Sequence, residues 1–160
     1  MEKWKKIKCL ALDVDGVLTD GHIFQGLNGQ WCRNFYIRDG MGLVLLKERG
    51  YKLALITSSL SDDIRDRAKK LKIDHVFDNV SNKAEAFKKL LQDSGLQPDE
   101  IAYMGDDIID LPVLEQVGIS LAPADAHIKV KNAVEIVTAA SGGRGAVREV
   151  CDTLLEQGAL

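Results

Sequence analysis

Asp13-Val14-Asp15-Gly16-Val17-Leu18-Thr19-Asp20 is the stretch on which the fold turns. It follows Ile7-Lys8-Cys9-Leu10-Ala11-Leu12, a mostly apolar run that reads as a short, buried parallel strand. The strand delivers two carboxylates at its end, and Gly16 then lets the backbone turn sharply. Ligands of open α/β sheets sit outside the carboxyl ends of the strands. Two acids on that edge suit chemistry on an anion held through a cation. A solvated Asp-x-Asp turn is the plainer reading of the tripeptide, and features further along the chain decide between the two.

Residues 22–37 read as a hairpin around Gly26-Leu27-Asn28-Gly29, where Asn28-Gly29 is a strong turn signal because both residues tolerate positive φ. The hairpin carries Ile23, Phe24, Trp31, Phe35, Tyr36 and Ile37. A lone hairpin is marginal in water, so it folds onto the main sheet or pairs with another subunit. Residues 40–49 read as a helix closed by Gly50, 51–56 as a strand and 62–72 as a helix with Ile64, Ala68 and Leu71 on one face. A short strand at 75–77, a helix at 82–94 ended by Gly95 and a strand at 100–104 follow. A helix to Gln116, short strands at 118–121 and 134–137, and a last helix at 146–156 complete the series. Strands alternate with helices, which predicts an α/β fold: a Rossmann-like, doubly wound, mainly parallel sheet with the hairpin inserted after the first strand.

The 160 residues suffice for a single domain with a real core. A net charge of −3 argues against a nucleic-acid-binding surface, while a local group of cations can still bind a small anion. Cys9, Cys32 and Cys151 are far apart and form no Cys-x-x-Cys pair, which suits a reducing cytoplasm and offers no zinc site. No signal peptide and no membrane-spanning stretch is expected.

Asp13 and Asp15, Thr57-Ser58, Lys83 and Asp106-Asp107 all fall at strand ends or adjoining helix starts, with Asp110 close behind. In a doubly wound sheet these positions can face one crevice. Ionised carboxylates that close repel unless a cation neutralises them. Every candidate ligand is an oxygen, which favours Mg²⁺ over zinc. A phosphate on that Mg²⁺ would find donors in the Thr57 hydroxyl, the Ser58 backbone N–H and the Lys83 ammonium. A cation in the first helical turn opposes the helix dipole, and this favours a bound anion over a merely solvated Lys83.

The order Asp-x-Asp, Thr/Ser, Lys, Gly-Asp-Asp-x-x-Asp resembles the haloacid dehalogenase superfamily of phosphatases. That resemblance implies Asp13 as nucleophile and Asp15 as general acid and base, with the Asp15 backbone carbonyl also on Mg²⁺. It implies Thr57, Ser58 and Lys83 on the phosphoryl oxygens, and Asp13, Asp15 and Asp106 around the metal. Asp107 and Asp110 are expected to orient bound waters or the Asp106 loop. Asp107 as a plain helix-terminal charge is the alternative.

Longer stretches, among them residues 13–21, 35–42, 103–110 and 142–149, are similar to the 3-deoxy-D-manno-octulosonate 8-phosphate phosphatases. The likeness implies a cap-less homotetramer of lipopolysaccharide biosynthesis, joined through its hairpins and acting on a phosphorylated sugar acid. By the same likeness Arg144 helps bind that acid, although a solvated arginine at a Gly-rich helix entry is an equal reading. One departure stands out. That family reads Thr-Gly-Arg-x-Ser where this chain has Thr57-Ser58-Ser59-Leu60-Ser61, so a cation is missing at Ser59. A nonulosonate 9-phosphate phosphatase, a receiver domain and a catalytically inactive assembly domain are the competing readings. A receiver carries its phosphorylated Asp on the third strand, and an inactive domain loses one of the acidic motifs that this chain keeps.

Overall fold

The structure, a computed structural model, describes residues 2–160. Six parallel strands form the central sheet: β1 (Cys9–Leu12), β4 (Lys52–Ile56), β5 (His75–Phe77), β6 (Ile101–Met104), β7 (Ile119–Ala122) and β8 (Ile136–Val137). Their order is β5-β4-β1-β6-β7-β8. The chain therefore winds outward from β1 to one side, returns, and winds outward to the other. β1 lies between β4 and β6, with Leu12 level with Leu55 and with Met104. This is the switch point of a doubly wound sheet, where loops diverge and leave a crevice.

Strand side chains alternate between two cores, as the period of two requires. Leu10, Leu12, Leu53, Leu55 and Met104 pack under α1 (Glu2–Lys6), α2 (Ile37–Glu48), α3 (Asp62–Lys70) and α7 (Ala146–Gln157). Cys9, Ala11, Ala54, Ile56 and Tyr103 pack under α4 (Lys83–Ser94), α5 (Leu111–Leu114) and α6 (Ile128–Ala133). Buried on both faces, the four residues of β1 are a continuous apolar run. Burial pushes the Cys9 thiol up to about 12 and raises that of Cys151 too, so both pack as small hydrophobes.

The hairpin is shorter than expected. Only β2 (Phe24–Gln25) and β3 (Trp31–Cys32) pair, and Thr19 bridges Phe35 further along. Gly29 alone of the Asn28-Gly29 pair takes positive φ (+71°), and the Gly26 N–H donates to the Gln30 carbonyl across the three residues between them. Ile37, expected in the hairpin, instead opens α2, with Asp39 in its first turn accepting from the Arg148 N–H of α7 (2.9 Å). Phe35 packs on the core under the Arg67 guanidinium, 5.6 Å from the ring centroid. Ile23, Phe24, Leu27 and Trp31 remain exposed. The sequence pattern did not reveal α1 or α6, because each is short and only Trp4 in the first and Val130 in the second are buried.

Candidate active site

The loop after β1 is shaped by its own residues. The buried Thr19 hydroxyl accepts from the Gly16 and Gly21 N–H groups, and Gly16 takes φ +80°. A Cβ at Gly16 would collide with the Asp106 carboxylate, so glycine lets the loops after β1 and β6 close on each other. The Gly-rich segment before α7 packs there as well, with the Gly143 N–H on the Val17 carbonyl (2.9 Å).

Asp13, Asp106 and Asp110 bring one carboxylate oxygen each within 4.8 Å of the others. Lys83, in the first turn of α4, reaches them from across the crevice. Its Nζ lies 2.8 Å from Asp13 Oδ2 and 2.7 Å from Asp110 Oδ1, and its side chain is 2% exposed. A solvated lysine is thereby excluded. Asp110 is fully occupied: Oδ1 also accepts from the Tyr103 hydroxyl (2.6 Å), and Oδ2 accepts from the N–H groups of Asp106 and Asp107 (3.0 and 3.1 Å). Burial holds the Tyr103 phenol well above its usual value, so it stays a donor. Asp110 thus links the Asp106 loop to Lys83 through hydrogen bonds.

Burial, opposed by Lys83 and reinforced by Asp110, lifts Asp13 to about 7. Burial and the neighbouring Asp13, Asp110 and Asp107 lift Asp106 to about 7 as well. Burial alone would lower Lys83, but Asp13 and Asp110 outweigh it and raise the ammonium. One lysine does not neutralise three carboxylates. The donors are hard oxygens, and the set fits a small divalent cation such as Mg²⁺, with Asp13 and Asp106 as the acids left to hold it.

Without a cation, the folded chain keeps protons on Asp13 and Asp106 that the unfolded chain, with carboxylates near 3.8, has lost. Stability should therefore fall as pH rises from about 4 to about 7 and then level off. Mg²⁺ binds the ionised form, so the gap in melting temperature between Mg²⁺ and EDTA should widen across about pH 5 to 8. A gap that is absent, or constant over that range, would reject the cluster as a cation site.

The Asp15 side chain stays outside the carboxylate cluster and pairs with Arg33. Of the five carboxylates expected together, three meet. Thr57 is buried at the end of β4, and its hydroxyl accepts from the Ser59 N–H (3.2 Å) and does not cap α3, whose N-cap is Ser61. Ser58 is exposed at the same edge. Asp107 is exposed and accepts from the Ile108 N–H (2.7 Å), as a helix-terminal cap does. The Arg144 side chain is 71% exposed and lies 3.6 Å from Asp20 of its own chain. His22 and His127 are exposed and His75 is half-buried, all apart from the cluster.

Two residues went unread in the sequence. Tyr103 sits in an aliphatic strand and would pass for a core aromatic. Arg33 is a single arginine between hairpin and helix, and nothing in its spacing points at Asp15. No helix among the described residues is long and apolar enough to cross a membrane.

A cluster of this kind at the switch point, with an Asp-x-Asp loop, a threonine after the second strand and a buried lysine, defines a class. The chain belongs to the haloacid dehalogenase-like hydrolases, whose family profile matches residues 52–149. Among its relatives, the 3-deoxy-D-manno-octulosonate 8-phosphate phosphatase of Escherichia coli strain B is 46% identical over 155 residues, 97% of this chain and 82% of the relative. The crystal structure of the Yersinia pestis phosphatase of that name matches with a TM-score of 0.94 at 42% identity, covering 97% of this chain and 84% of the other. The Moraxella catarrhalis phosphatase, solved with a magnesium ion, a phosphate ion and KDO, matches with a TM-score of 0.93 at 37% identity, over 97% and 89% of the two chains.

Proposed function

We propose that this protein is a Mg²⁺-dependent phosphatase of 3-deoxy-D-manno-octulosonate 8-phosphate, working through an aspartyl-phosphate in the synthesis of lipopolysaccharide. The buried bridge of Lys83 between Asp13 and Asp110, beside Asp106, carries the reading. It supports the reading by bringing Asp13, Lys83, Asp106 and Asp110 together in one crevice, as a nucleophile, a cation for phosphoryl oxygens and acids for a metal would need.

In this reading an Asp13 oxygen attacks phosphorus and the bond to the sugar oxygen breaks. Asp15 gives that oxygen a proton, help that is typically worth ~10²–10⁴ in rate for a poor leaving group. Asp15 then takes a proton from the water that opens the aspartyl-phosphate, which returns Asp13 and releases phosphate. Lys83, the Thr57 hydroxyl and the Ser58 N–H hold phosphoryl oxygens as charge shifts among them. Asp13, Asp106 and the Asp15 carbonyl would hold Mg²⁺, which when bound would offset the negative charge of the phosphoryl group. Arg144 is assigned to the sugar acid.

The test is phosphate release with Mg²⁺ from the octulosonate ester, from a nonulosonate 9-phosphate and from a neutral sugar phosphate. The octulosonate ester should be hydrolysed fastest, and only with Mg²⁺. Preference for another ester keeps the chemistry and changes the substrate. No release from any ester sinks the reading.

Asp15→Asn should lose kcat/KM on the sugar ester by about 10²-fold or more and much less on p-nitrophenyl phosphate, which needs no acid. Because kcat/KM stops at departure of the leaving group, the common hydrolysis step does not mask the difference. Equal losses would remove Asp15 as the acid.

The chain is read as a single domain without a cap, since, apart from the sheet strands β4 and β5, the intervals from Asp15 to Thr57 and from Thr57 to Lys83 hold only the hairpin and single helices. We place it in the cytoplasm, where its three unpaired cysteines stay reduced. A homotetramer would cover Ile23, Phe24 and Trp31, the apolar residues that the hairpin leaves exposed. Trp31→Glu, at a residue 51% exposed, should convert the assembly to smaller species in light scattering. A wild type that is already monomeric at micromolar concentration rejects the assembly. Phe35 is unsuited to this test, because a charge there would disturb the core.

A further inference from the structure

Asp13 and Asp15 are two copies of one side chain on one loop, yet the fold gives them different partners. Asp13 joins Asp106, Asp110 and Lys83, while the Asp15 carboxylate stays outside that group. Arg33, the residue after β3, holds it there. The Arg33 Nε donates to Asp15 Oδ1 (2.6 Å) and Nη2 to Oδ2 (3.3 Å). Its Nη1 donates to Ser61 Oγ (3.0 Å) and to the two Asp63 oxygens (3.1 and 3.5 Å). Ser59 Oγ completes the shell on Asp15 Oδ2 (2.6 Å), and Ser61 is bonded in turn to Asp63.

This is not a wandering surface pair. The Arg33 side chain is 5% exposed, and its planar fork meets a carboxylate on each side. A two-point contact fixes the rotation of the carboxyl group about its axis, which a lysine ammonium does not. The hairpin, the loop after β1 and the loop after β4 are tied together at this one guanidinium.

We propose that Arg33 is a positioning residue for Asp15: it fixes the direction in which Asp15 presents its proton and keeps that carboxylate off the cation beside Asp13 and Asp106. The proposal rests on the reading of Asp15 as leaving-group acid. A proton on Oδ2, the oxygen more loosely held by Arg33, leaves the short Nε bond to Oδ1 in place. Arg33 stands on the hairpin whose apolar side chains are exposed, so the contact also ties the acid to the assembly surface.

The test compares the full chain with Arg33→Met and Arg33→Lys, with Mg²⁺, on octulosonate 8-phosphate and on p-nitrophenyl phosphate. Read as kcat/KM, Arg33→Met should lose at least about tenfold more on the sugar ester than on the aryl ester, part of the acid's full ~10²–10⁴ contribution. Arg33→Lys should stay close to Arg33→Met, because it restores the charge without the fork. Arg33→Met/Asp63→Asn removes one of the two acids that lose their cation in the first change and should fold if the single variant does not, with the same difference between substrates. Equal losses on both esters in a folded variant, full recovery with lysine, or no loss at all would each overturn the role of Arg33. If Asp15→Asn itself shows equal losses on the two esters, the reading of Asp15 fails first, and the failure is visible without any change at Arg33.

Discussion

Asp13→Asn should yield a folded protein whose phosphatase activity is reduced by at least about 10⁴-fold, the scale on which hydrolases lose turnover without their nucleophile. An amide does not attack phosphorus, so no aspartyl-phosphate forms. The substitution keeps the shape of the side chain and retains an acceptor for the Val14 N–H, which lies 2.7 Å from Asp13 Oδ1. It also removes one of the three crowded carboxylates. Without Mg²⁺ and above pH 7, the variant should therefore melt no lower than the wild type. Phosphate release and thermal melting measured on one preparation separate the two effects. Activity within tenfold of wild type would remove Asp13 as the nucleophile, and a large drop in melting temperature would show that its charge is structural.

Lys83→Met should be the more damaging change to the fold. Breaking a buried ion pair by removing one partner costs about 3–5 kcal/mol, because the remaining charge is left in a dry site. Here two carboxylates, Asp13 and Asp110, lose the ammonium that bridges them at 2.8 and 2.7 Å. Mg²⁺ should recover part of the loss, since it neutralises the same acids. Adding Asp110→Asn should recover more, because it removes a charge while an amide there can accept from the Asp106 and Asp107 N–H groups and donate to the Tyr103 oxygen. Activity should not return in the double variant, for the cation on the phosphoryl oxygens is still missing, an effect of about 10²–10³ in turnover. Denaturant unfolding of the single and double variants decides the matter. A single variant as stable as the wild type would contradict the buried bridge. A double variant with restored turnover would remove Lys83 from the chemistry.

The parts of the site legible in the residues are those set by local order along the chain. A short apolar run ending in Asp13 and Asp15, another ending in Thr57 and a third ending in Gly105-Asp106 must each deliver polar groups to one edge of a parallel sheet. Alternation of strand and helix puts those edges on the same side. Lys83 was legible because a cation in a first helical turn needs a reason. Hairpin and helix bounds were less so: Ile37 is apolar and followed the hairpin, but its place in the first turn of α2 comes from the docking of Asp39 on α7.

What the tertiary structure alone decided is how the carboxylates divide. Five were expected in one crevice, and composition gives no means to sort them. Packing sorts them by partner: Asp110 is saturated by Lys83, Tyr103 and two N–H groups, Asp107 turns outward as a cap, and Asp15 is held apart by Arg33. The sequence by itself determined that acids, a hydroxyl and a lysine would meet at the carboxyl ends of β1, β4 and β6, because strand direction and period are local properties. Which acid holds a cation, which one orients and which one moves a proton depends on contacts such as Arg33–Asp15, 18 residues apart, and Lys83–Asp110, 27 apart, that exist only after the chain has folded.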